Sequence, residues 1–139
     1  MNKKVWVGTI VVFLLYFVLA FVVHGVLLKD EYATMSNLFR PESEVNSLMW
    51  IFVVTDAFFA FFFTLIFSKG YENKGIAEGV RYGLYVGLMM KLPAIYGVYA
   101  VMPMSYRLTM QSFLYEVVMV ILCGVALALV FKPKAPAAA

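Results

Sequence analysis

Four apolar stretches constrain this chain more than anything else in it: Val5 to Leu28, Leu48 to Phe67, Tyr82 to Met102, and Phe113 to Phe131. Each approaches the roughly 20 residues that a helix needs to cross a bilayer, and far exceeds the roughly 10 that a strand needs. Inside lipid no water is present to satisfy backbone amides and carbonyls, so stretches of this length are expected to be helical throughout. With 64% of 139 residues hydrophobic and only 14% charged, an ordinary soluble domain is excluded. The expected fold is an all-α membrane protein, a compact antiparallel bundle of four transmembrane helices. One domain would span 1–131, followed by a disordered cytoplasmic tail over 132–139, where no apolar face remains to be buried.

Lys3 and Lys4 precede the first stretch, as basic residues precede a secretory signal. A signal's apolar core runs only about 7 to 15 residues, so this longer stretch is expected to be a retained anchor. No lipidation signal is expected at either end. Orientation follows from the basic residues of the connections. With the N-terminus inside, Lys3, Lys4, Lys69, Lys74, Arg81, Lys132 and Lys134 face the cytoplasm, against Lys29, Arg40 and Arg107 outside. That asymmetry predicts both termini in the cytoplasm, and Trp6 and Trp50 then fall at opposite interfaces. The formal charge of +3 reads as this topological bias, and no nucleic-acid surface is expected.

Short connections make antiparallel neighbours. The segments 68–81 and 103–111 are brief enough to force an up-down-up-down order. In the longer segment 29–47, Tyr32, Met35, Leu38 and Phe39 suit a short helix lying over the bundle and ended by Pro41. Alternatively, Pro41 to Glu44 forms the acidic first turn of the second span. Similar openings at Ser47 and Ser112, and His24-Gly-Val beside Tyr96-Gly-Val, hint at two weakly similar helical hairpins in parallel orientation. Chance similarity between apolar helices is the competing explanation.

Glycines recur at Gly75, Gly79, Gly83 and Gly87, and the next step of four lands on Lys91. Small residues at this spacing let helix backbones approach closely, either within the monomer or in self-association. The series drifts around the helix, because four residues overshoot one turn by about 40°.

Charge inside an apolar span is costly, about 2.5 kcal/mol or more, so it normally faces a partner or a cavity. Counting along the helices at about 1.5 Å per residue puts Asp56 in the second span and Lys91 in the third at closely similar depths. An intramembrane pair of Asp56 with Lys91 is therefore expected, either as a structural ion pair or as a proton or ion relay. Pro93, which lacks the amide that would bond the carbonyl of Met89, is expected to kink the helix beside Lys91. Near the outer face, His24, Tyr96 and Glu116 are expected to cluster, with the carboxylate fixing the imidazole tautomer.

Catalytic chemistry finds little support. One histidine and one cysteine, Cys123, provide neither a zinc set nor a Ser-His-Asp constellation, and no phosphate-binding glycine loop is present. No enzyme activity, metal or cofactor is expected. His24 with a methionine, or with its twin in a dimer, would be the only route to a haem.

Several segments carry a resemblance: Phe21-Val-Val-His24-Gly-Val-Leu-Leu, Leu38-Phe-Arg-Pro-Glu42, the run from Phe67 to Leu84, and Tyr99-Ala-Val-Met-Pro103. Together they resemble a group of small four-span bacterial inner-membrane proteins to which no activity is assigned. The resemblance covers most of the chain and implies a single domain in a bacterial cytoplasmic membrane. It transfers no catalytic residue. Three functions follow as expectations: an accessory membrane protein acting by homo-oligomerisation or within a larger membrane complex; a small proton- or ion-coupled transporter or channel using Asp56 and Lys91; and a haem- or quinone-associated respiratory subunit.

Overall fold

A computed structural model of the chain describes residues 2–132. Its elements are α1 (Lys3–Val22), a π-helical turn (Val23–Leu27), α2 (Lys29–Ala33), α3 (Glu42–Ser47), α4 (Met49–Gly70), α5 (Ile76–Val101) and α6 (Tyr106–Phe131). Four helices, counting α1 with its π turn, are long and apolar enough to cross a membrane. The expected four-helix bundle is thus present, and the chain reads as a multi-pass membrane protein. The tail expected over 132–139 lies outside the described residues apart from Lys132.

Two of the spans begin well before their apolar stretches, by six and seven residues. α5 starts at Ile76 and α6 at Tyr106, so the connections shrink to 71–75 and 102–105. Ser105 caps α6 by accepting from the amide of Leu108 at 3.2 Å, which satisfies one of the amides left free in a first turn. Gly75 precedes α5 with φ 74° and ψ −153°, a conformation open essentially to glycine alone. It therefore serves the turn. A Cβ at Gly75 would meet nothing within 4 Å, which corrects its placement in the packing ridge.

The ridge proper is Gly79, Gly83 and Gly87, and it packs within the monomer. A Cβ on Gly79 would collide with the backbone oxygen of Gly124, and one on Gly83 would stand 2.6 Å from Ile121 Cα. Gly87 is looser, with its nearest neighbour, Val120 Cβ, at 3.4 Å. α5 thus lies closely along α6, where backbone approach increases dispersion contact. α1 sits between α4 and α6. Its Gly8 makes room for Thr64 and Leu127, whose methyl carbons would stand 2.8 and 2.9 Å from an added Cβ. Although adjacent in the chain, α4 and α5 are not backbone neighbours of this kind. They meet through Tyr82, which donates to the carbonyl of Phe63 at 2.6 Å and packs on Phe63 and Phe67.

The first and last described residues, Asn2 and Lys132, lie at one end of the bundle, here the terminal end; segment 29–47 covers the other, the distal end. At the terminal end Lys4 donates to the carbonyl of Phe131 at 2.8 Å, closing the C-terminus of α6 with a cation. The buried carboxylate of Glu78 accepts from the amides of Glu72 and Lys74 at 2.6 and 2.8 Å, ordering the connection to α5. At the distal end the expected surface helix is only α2; the chain then turns through 34–40 and enters α3, which Leu48 separates from α4. Tyr32, Met35 and Phe39 nevertheless pack against the core, as a cap would.

Candidate functional site: an intramembrane polar chain

Lys91 stands one helical step beyond Gly87, so the drift that turns the ridge toward α6 also carries the lysine to that face. Its Nζ lies 2.7 Å from Glu116 Oε2 and donates to the hydroxyl of Tyr16 at 2.9 Å. Three helices, α1, α5 and α6, thus contribute to one bond set. The lysine and glutamate side chains are 16% and 15% exposed, and Tyr16 is buried. The ammonium also stands 5.5 Å from the centre of the Tyr16 ring. Such a pair resists water and salt, and removing either partner leaves an uncompensated interior charge.

The second oxygen of Glu116 continues the chain. Oε1 is 3.5 Å from His24 Nε2, and His24 Nδ1 is 2.7 Å from the hydroxyl of Tyr32. Burial, reinforced by the Glu116 carboxylate and opposed by Ser112, pushes the Tyr32 phenol up to about 12. At neutral pH it therefore keeps its proton and can donate to Nδ1. When it does so, the imidazole carries its own proton on Nε2, directed at Glu116. The result is a series, Tyr16, Lys91, Glu116, His24, Tyr32, whose longest step is the 3.5 Å from Glu116 to His24, reaching from mid-helix to the distal end.

His24 owes its position to the π turn. The amide of Leu28 bonds the carbonyl of Val23 at 2.9 Å, five residues back. Such a turn admits an extra residue without ending the helix, and it redirects the side chains at its centre. α2 follows at once and brings Tyr32 back over the imidazole. Above it, Arg107 and Glu31 are joined at 2.9 Å, tying α2 to the first turn of α6.

Two expectations of the sequence need correction. Lys91 is bonded to Glu116 and not to Asp56: no ion pair or hydrogen bond joins Asp56 to any partner among the described residues. Equal depth brings two groups together only where their helices present facing sides, and here α5 turns its lysine toward α6. Asp56 and Lys91 thus share a depth without sharing a bond. Tyr96 is absent from the His24 and Glu116 cluster. Five residues beyond Lys91, it is about 140° around the helix, and its ring meets Phe113 edge-on at 5.6 Å. Pro93 lies inside a helix that continues to Val101.

Sequence reasoning missed Tyr16 and Tyr32. A tyrosine in an apolar helix carries little signal by itself, although the wish of its hydroxyl for a partner was a clue. Cys123 is buried and free. Among the described residues no three His, Cys, Asp or Glu side chains gather where they could hold a metal ion. Compared with family models, curated proteins and solved structures, the chain matches none.

Proposed function

We propose that this is an accessory integral membrane protein of a bacterial cytoplasmic membrane, with both termini cytoplasmic, which acts by association within the bilayer. The observation that supports this reading best is the bonding of Lys91. Its partners come from α1 and α6, so the intramembrane charge serves to fix how helices meet. Below that bond the bundle is closed. Val12, Leu127 and Cys123 are fully buried, and Phe63, Phe67 and Phe131 fill the space toward the terminal end. Such packing suits a rigid body better than a conduit.

We assign association to the face of α4, although every span exposes apolar side chains. That helix packs on α1 along one side and exposes Trp50, Phe52, Phe58, Phe62 and Ile66 on others. A photo-reactive residue at Phe58, in cells, should give a discrete protein adduct, whereas the same residue at Leu129 on α6 should give far less. Adducts from neither position, with a monomer in mild detergent, would refute association. Orientation is checked separately. A reporter active only in the cytoplasm should work after Lys132 and fail at Ser36.

A further inference from the structure

Glu116 is shared by two basic groups, and they hold it unequally. Lys91 is bonded at 2.7 Å, while the imidazole nitrogen of His24 stands at 3.5 Å. The histidine side chain is 38% exposed and stands three residues before the distal end of its span at Leu27, close to the water from which a proton would come. Its second nitrogen faces a hydroxyl, which can either donate or accept. A proton arriving at Nδ1 therefore needs only a rotation of the Tyr32 hydroxyl to be received. The imidazolium so formed is a full cation facing Glu116, and it competes with Lys91 for that carboxylate.

Asp56 gives Lys91 somewhere to go. It is a half-buried acid with no bonded partner among the described residues, at closely similar depth to Lys91 along its own helix. The lysine has a flexible four-carbon stem. Charge counting points the same way. With His24 neutral, Lys91, Glu116 and Asp56 sum to −1; with His24 protonated, the four sum to zero. An uncompensated charge at bilayer depth is costly, and uptake of one proton leaves the set neutral.

We infer that His24, Glu116, Lys91 and Asp56 form a binding site for one proton, taken up at His24 from the water at the distal end and answered by movement of Lys91 from Glu116 toward Asp56. The proton adds to Nδ1 and no covalent bond breaks. Facing the imidazole are Glu116 from α6, Tyr32 from α2 and Lys91 from α5. Arg107 of α6 and Glu31 of α2 already neutralise each other above it, while Lys29 and Asp30 offset each other at the start of α2. The site goes beyond the association proposed above and does not rest on it.

His24 is the only histidine in the chain, which makes the test direct. The full chain is labelled with ¹⁵N-histidine, placed in lipid nanodiscs, and titrated by magnetic resonance between about pH 8 and about pH 5, where imidazole ordinarily titrates. The neutral Nε2–H tautomer should convert to imidazolium. In Asp56→Asn the midpoint should move to lower pH, corresponding to a loss in proton affinity of about threefold to tenfold, as expected for a partly screened nearby charge. Tyr32→Phe should also lower it. Independently, the distance from Lys91 Nζ to the Glu116 carboxyl carbon, measured in the unsubstituted protein, should lengthen at the acid end. A histidine that stays neutral throughout, a midpoint unchanged or raised in Asp56→Asn, or an invariant Lys91–Glu116 distance would overturn the proposal.

Discussion

At the terminal end the helices are held by near contact of backbone with backbone, as at Gly79 and Gly124, whereas farther toward the distal end they are held by side chains that bond across gaps. The glycine contact has no polar atom to satisfy and no rotamer to order, so it gives close packing with one geometry. The bonds of Lys91, Glu116 and His24 gain strength from the low dielectric but depend on every member being present. Where α5 crosses α6 the protein is therefore sensitive to volume, and where α1, α5 and α6 meet at Glu116 it is sensitive to charge. The difference teaches that the same four helices need not be held by one principle along their length.

The comparison is most exposed to Glu116→Gln, which breaks the 2.7 Å bond of Lys91 and leaves the ammonium only the unbonded Asp56 to move toward. Breaking a buried pair from one side costs about 3 to 5 kcal/mol, so this variant should melt early in detergent. Adding Lys91→Met should restore much of the loss. Equal melting of the single and double variants would show that the charges do not hold the distal half together.

Volume at the terminal half is tested next. Gly83→Leu drives a side chain into the backbone of α6, and overpacking of this kind costs about 1 to 3 kcal/mol. Gly87→Leu should cost less, since its neighbours stand farther off. If both variants melt like the parent, α5 and α6 do not cross as described. Glu78→Gln sharpens the same contrast from its polar side, because two amides lose a charged acceptor. A cost of about 1.5 to 3 kcal/mol is expected, together with faster proteolysis at 71–75; a protease-resistant connection would argue that Glu78 does not order it.

The smallest effect belongs to Asp56→Asn. Because no bonded partner is lost, stability should change by no more than about 0.5 kcal/mol. A loss as large as that of Glu116→Gln would mean that Asp56 and Lys91 are bonded after all.

Much of this was legible in the residues. Length and hydropathy gave the four spans, and the spacing of Gly79, Gly83 and Gly87 gave a close crossing. The partner of Lys91 was misjudged because depth is only one coordinate. The azimuth was also available: Lys91 continues the glycine step, so once that ridge is assigned to α6, the lysine faces α6 and Glu116. What sequence could not supply was the π turn at Val23–Leu27. No residue pattern forces the extra residue, and without it His24 has no reason to meet both Glu116 and Tyr32.

The order in which the chain is made gives the Lys91–Glu116 bond a second meaning. α5 is the least apolar of the four spans, and it leaves the ribosome before its counter-ion does. Until α6 follows, the lysine has no carboxylate at its own level on the side to which it is turned. Insertion of the third span should then be incomplete in a truncated nascent chain and become secure only as a hairpin with the fourth. The connection at 102–105 is short enough for the two to enter the bilayer together.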